Sequence, residues 1–207
     1  FIASCEKFYI EHHEGSAAGE TISAQVFKPI NSDPQKLAFV YHGRNGGASS
    51  RYIMPITNAY LAEGYTVIAP NGSHSAGNDS FGEWQDFTVA QHVADLERTI
   101  EWAQNNRELT GWESDRFVLA GHSMGAFANS YLAATKYKSV TDHVVAVSPF
   151  TSGALQLVAR KAMTGAYEKL MERMPQAIEE WPLHDIYRDI DNLTMPVSVI
   201  VGENDRI

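Results

Sequence analysis

The side chain in this sequence best placed for nucleophilic chemistry is Ser123, in the run Gly121-His122-Ser123-Met124-Gly125. The pattern G-x-S-x-G is common by itself, so its meaning lies in its surroundings. Phe117-Val118-Leu119-Ala120 reads as a strand directly before it, and Ala126 to Ala134 as a helix directly after it. A strand-to-helix turn this tight strains the backbone at the serine and requires small neighbours, which Gly121 and Gly125 supply. The hydroxyl would then stand above the sheet edge at the positive end of the helix, where developing negative charge is stabilised. The chemistry expected is acyl transfer, with Ser123 as nucleophile. A surface serine in a glycine turn is the plainer reading of the same five residues.

Such a turn needs a sheet beneath it, and the chain alternates short β-rich runs with longer helical patterns. Lys7 to Ile10 and Thr21 to Phe27 alternate apolar and polar residues and predict an opening antiparallel hairpin. Five later runs have the continuous apolar character of strands buried on both faces: Leu37–Tyr41, Tyr65–Ala69, Arg116–Ala120, His143–Val147 and Val197–Val201. Helices are predicted over Ser50–Glu63, Asp86–Asn105 and Met124–Tyr137. The second carries Val89, Val93, Leu96 and Ile100 as one apolar stripe. Strands separated by helical crossovers imply an α/β domain with a mostly parallel central sheet flanked by helices.

From Phe150 to Asn192 the apolar positions Leu155, Val158, Met163, Leu170 and Met174 predict one long helix or two, interrupted at Pro175 and Pro182. This excursion over 150–192 reads as a crossover covering the sheet, or as a lid whose methionine-rich face meets an acyl chain.

In order of elements and in its serine turn, nearly the whole chain resembles the α/β-hydrolase fold family. The elbow Gly-His-Ser-Met-Gly is similar to those of the esterase, lipase and serine-aminopeptidase branches. The resemblance implies an oxyanion hole made by the backbone N–H groups of Arg44, in Tyr41-His42-Gly43-Arg44-Asn45-Gly46-Gly47, and of Met124. It also implies that Asp205, in Gly202-Glu203-Asn204-Asp205 after the last strand, orients a catalytic histidine, with Glu203 as fallback. His42 is expected as a loop-supporting residue near the substrate pocket. His74, in the glycine-rich loop Asn71 to Asp79, is the second pocket candidate. The Arg44 side chain is read as solvated rather than as a contact for an acidic substrate.

The sequence departs from the family pattern where the base belongs. The family places its histidine after the acid, whereas this chain stops at Ile207. The expectation is a fragment lacking its final helix, strand and base. The alternative is a substitute such as His74.

Composition narrows the partners. Over 207 residues the net charge is −9, and no Lys/Arg cluster exceeds a pair, which argues against nucleic acid or an anionic membrane. No apolar run approaches the length of a membrane span. Cys5 is the only cysteine, so an internal disulfide and cysteine-based zinc sites are excluded. No metal or cofactor is expected, and the compartment stays open. The function implied is a serine hydrolase of carboxylic esters, extending to thioesters or amides, acting on a small-molecule substrate in one domain spanning 1–207. The rivals are a peptidase of the same fold and a non-catalytic binding protein.

Overall fold

A computed structural model of the protein describes residues 3–30 and 36–205. Strands β1 (Ala3–Glu11) and β2 (Thr21–Pro29) form the opening antiparallel hairpin. There follow β3 (Lys36–Tyr41), α1 (Met54–Ala62), β4 (Tyr65–Asn71), α2 (Val89–Asn105), α3 (Arg107–Thr110) and β5 (Phe117–His122). The chain continues through α4 (Met124–Ala134), β6 (Thr141–Val147), α5 (Gly153–Ala162), α6 (Ala166–Arg173), α7 (Ala177–Glu180) and β7 (Val197–Ile200). The strand order is β1-β2-β4-β3-β5-β6-β7. Neighbours from β4 to β7 run parallel, and β2 joins β4 antiparallel.

Alternation along the central strands divides the core by residue size. Leu37, Phe39 and Tyr41 of β3 and Phe117 and Leu119 of β5 face α2 and α4 in one apolar cluster. Ala38, Val40, Val118 and Ala120 point to the other face, which α1 covers with Leu61. Large side chains thus fill the two-helix layer, while small ones admit α1 close to the sheet. The α2 stripe is buried as its spacing predicts. Its N-terminus is capped by Thr88, whose side chain accepts a hydrogen bond from the Gln91 N–H.

Two expectations are corrected. The excursion is not one or two long helices but α5, α6 and α7 followed by three 3₁₀ turns. Gly165 in the left-handed region (φ 72°) separates α5 from α6, and Pro175 follows the C-cap Met174, where α6 ends. The last strand is not buried on both faces: Val199 is 60% exposed and Ile200 54%. It is the edge strand, paired on one side by β6, with no helix over it among the described residues.

A buried polar network backs the β3 end of the sheet. Tyr41 O–H donates to His92 Nδ1 at 2.9 Å while its ring stacks on the imidazole at 4.1 Å. His92 Nε2–H donates to the His42 carbonyl at 2.8 Å. Asp95, fully buried, accepts from the Ser73 N–H and O–H and from Gln91, and pairs with His12 at 2.9 Å. Burial holds His42 neutral, its pKa lowered from 6.5 to about 3, with the neighbouring His92 adding to the effect. Burial likewise lowers His92 to about 4.

Both histidines take up protons more readily unfolded than folded. Stability is therefore full above the ordinary histidine value of about 6.5 and lost as pH falls toward 4. Denaturant unfolding should show a loss on the order of 1.4 kcal/mol per pH unit for each group in this window. Stability unchanged between pH 7 and 4.5 would contradict the assignment.

Candidate active site

The loops that carry Arg44, Ser123, Ser148 and Asp205 leave the carboxyl ends of parallel strands, the edge where open α/β sheets bind ligands. Among the described residues, four non-glycine positions have positive φ: Asn45, His74, Ser123 and Ser148. Three of them, all but His74, line one cleft of about 680 Å³. Backbone strain is therefore concentrated where the strands end.

Ser123 sits at φ 56°, ψ −121°, between β5 and α4. The bend is held from three sides. The Ser123 N–H donates to the Val147 carbonyl at 3.0 Å, and its own carbonyl accepts from Phe127 and Phe150. Gly121 and Gly125 are required by their surroundings. A Cβ on Gly125 would lie 2.3 Å from the carbonyl oxygens of both Tyr41 and His42, and one on Gly121 would lie 2.7 Å from the Tyr41 oxygen. The buried Asn129 amide adds a brace, donating to the Ala120 and Gly125 carbonyls, both at 2.8 Å.

The loop after β3 meets Ser123 across the cleft floor. Gly43 is so close that a Cβ there would fall 2.8 Å from Ser123 Cβ and 3.3 Å from its Oγ. Gly43 to Gly46 form a turn, the Gly46 N–H donating to the Gly43 carbonyl at 3.0 Å, with Asn45 in the left-handed region its third position takes in a type II turn. His42 fixes the orientation of this loop. Its Nε2 accepts from the Gly72 N–H at 2.7 Å, so the proton resides on Nδ1, which donates to the Gly43 carbonyl at 2.6 Å. With that carbonyl pinned and no cis peptide bond among the described residues, the Arg44 N–H at the other end of the planar peptide points the opposite way. Neither the turn nor the first turn of α4 supplies an acceptor for the N–H groups of Arg44 and Met124.

The cleft brings together Arg44, Ser123, Met124 and Asp205. The Asp205 N–H closes a turn onto the Gly202 carbonyl at 3.0 Å, which lifts residue 205 over the end of β7. Neither histidine expected at the pocket lines it. His42 is 1% exposed and engaged at both ring nitrogens. His74 turns back on its own loop, bonding to the Glu83 carbonyl at 3.0 Å and packing edge-on against Phe81. The space opposite its ring is closed by Gly82, where a Cβ would meet His74 Nδ1 at 2.3 Å.

The family model for the alpha/beta hydrolase family matches residues 37–206. The chain belongs to the alpha/beta hydrolase family. Solved structures of the fold align along almost its whole length at low sequence identity. Est1E from Butyrivibrio proteoclasticus, determined with ferulic acid bound, superposes with TM-score 0.73 at 17% identity, covering 93% of this chain and 77% of that one. The esterase Pf2001 of Pyrococcus furiosus gives 0.70 at 18%, covering 99% and 72%. An alpha-beta serine hydrolase homologue from Coxiella burnetii gives 0.57 at 16%, covering 95% and 86%. No curated protein matches the sequence.

This hydrolase cleft also contains residues that motif reading missed. His122, within the elbow itself, lines the cleft with its ring stacked on Tyr52 at 4.7 Å. Burial lowers its pKa, and Asp205 opposes that shift. Ser148 was legible in principle, since it follows a parallel strand at its carboxyl end. Gln156 and Arg160 enter from α5, and no spacing signal marks them. Among the described residues, no group of three or more metal-ligating side chains is gathered, and no helix is long and apolar enough to cross a membrane.

Proposed function

We propose that this hydrolase cleaves carboxylic esters through an acyl-enzyme on Ser123. The observation that carries the reading is the bend at residue 123: a strained serine at the start of a helix, on a cleft wall, with two N–H groups free of acceptors within their own elements.

In this mechanism Ser123 Oγ attacks the ester carbonyl as its proton passes to a histidine base. The N–H groups of Arg44 and Met124 hold the oxyanion, and the protonated base then gives its proton to the departing alcohol. Water, deprotonated by the same base, attacks the acyl-enzyme and releases the acid. Asp205 orients the base and stabilises its imidazolium form.

None of the eight histidines in the sequence is assigned as that base, because seven are held by other partners and one stands apart from the cleft. His42, His92 and His12 belong to the buried network. His74 bonds to Glu83, His143 to Tyr60 and His184 to Glu180. His122 lies flat on Tyr52. His13 is exposed beside the opening hairpin.

The charged side chains lining the cleft are Arg44, Arg51, Arg160 and Asp205, and with Asp205 given to the base no other carboxylate among them would hold a peptide amino terminus, which favours esters over peptides. The full-length protein is expected to hydrolyse p-nitrophenyl esters and to leave aminoacyl p-nitroanilides untouched. Faster turnover of the anilides would replace the esterase reading with a peptidase on the same residues. Hydrolysis of neither, with no labelling at Ser123, would favour a binding protein.

A further inference from the structure

The chain carries a net charge of −9, yet the side chains around Ser123 include three arginines: Arg44, Arg51 and Arg160. Among the described residues, no carboxylate lies within ion-pair reach of any of them. Arg98, Arg107 and Arg116, away from the cleft, each have one. Arg51 sits at the mouth, bonded to the Tyr52 hydroxyl and stacked 4.6 Å from its ring.

The two inner arginines are the more telling pair. Arg44 and Arg160 approach one aromatic platform, the fully buried Trp181, with guanidinium carbons 6.0 and 5.5 Å from its ring centroid. The Arg44 guanidinium donates to Met174 Sδ at 2.7 Å, and a thioether is a weak acceptor for a cation. Arg160 Nε is buried with no hydrogen-bond partner. Burial and the positive charges of Arg160 and Arg173 both act against the ionised form of Arg44. Like charges drawn together, partly desolvated and without a counter-ion, raise the free energy of the empty site, and a bound anion relieves it. Gln156, one turn before Arg160 on α5, adds a neutral amide to the same wall. The Arg44 side chain is therefore not the solvated arginine that sequence reading expects.

We propose that the cleft selects esters bearing a carboxylate, which Arg44 and Arg160 hold while the ester carbonyl meets Ser123. The proposal rests on the esterase reading and adds its substrate class. Asp205 is the acidic residue lining the cleft, and in that reading it serves the base.

The test compares three chromogenic esters on the full-length protein. p-Nitrophenyl hydrogen adipate carries the carboxylate on the acyl side, 5-heptanoyloxy-2-nitrobenzoate carries it on the leaving group, and p-nitrophenyl heptanoate is the uncharged reference. At low ionic strength one charged ester is expected to exceed the reference in kcat/KM by about tenfold or more, because charge-assisted hydrogen bonds to a guanidinium pair are strong. That preference should shrink in about 0.5 M NaCl. Which charged ester wins places the carboxylate on the acyl or the alcohol side.

Arg160→Gln should lower the charged-to-neutral ratio about ten- to a hundredfold. Arg160→Lys should restore part of it, which separates loss of charge from loss of fold. Arg116→Gln, at the opposite end of β5 from Ser123, removes one charge and should leave the ratio unchanged. Ser123-dependent hydrolysis that is equal for charged and neutral esters, or faster for the neutral one, overturns the proposal and leaves the esterase reading standing. No Ser123-dependent hydrolysis of any ester overturns both.

Discussion

Ser123→Ala is expected to lower kcat for ester hydrolysis by about 10⁴-fold or more, with little change in stability. Magnitudes of this order follow when a nucleophile acting in concert with its base is removed, because the residual rate comes from the oxyanion donors and binding alone. Little structural cost is expected because, among the described residues, no hydrogen bond ties the Ser123 hydroxyl to the rest of the protein. The bonds that hold the bend run through its backbone N–H and carbonyl, which alanine keeps. Alanine does inherit the unfavourable φ of 56°, at a cost of order 1 kcal/mol, and the serine already bears the same strain. A variant that keeps more than a few per cent of the activity while remaining folded would remove Ser123 from the mechanism. Unfolding of the variant would instead show that the hydroxyl has a structural part.

Asp205→Asn should reduce kcat by about 10³- to 10⁴-fold while leaving KM within a small factor. Asparagine keeps the shape of the side chain but neither fixes the imidazole tautomer nor stabilises the imidazolium. The position supports this role: Asp205 stands on the turn beyond β7, lines the same cleft as Ser123 and favours the protonated form of His122. Glu203 lies on the same turn but does not line the cleft. Kinetics of Glu203→Gln in parallel decide between them. If Glu203→Gln is the damaging change and Asp205→Asn is mild, the acid is Glu203.

Sequence reading reached the parts of this molecule that depend on local chemistry. Gly121 and Gly125 could be recognised because their places tolerate no side chain, and the distances of 2.3 to 2.9 Å from a hypothetical Cβ to surrounding atoms give the reason. The α2 stripe and the buried central strands were legible for a similar reason, since periodicity reports which face meets the core. The family match over residues 37–206 and the parallel sheet agree with the fold expected from that order of elements.

What escaped was set by tertiary placement. His42 and His74 lie on the correct edge of the sheet, so spacing nominates both. Whether a ring points into a cleft or back into its own loop depends on partners such as the Gly72 N–H and the Glu83 carbonyl, which no local pattern encodes. Arg160 is the converse case. It lies on α5, 37 residues after Ser123, and its place at the cleft beside the buried Trp181 ring is a matter of packing that no spacing records.

The most direct measurement is covalent labelling of the full-length protein with a fluorophosphonate probe, followed by peptide mass mapping. An oxygen at the end of a sharply turned strand, faced by amide hydrogens, should be phosphonylated in a single stoichiometric event. The adduct should map to residue 123 and be absent from Ser123→Ala. A folded protein that resists the probe, or an adduct on any other residue, would contradict the account.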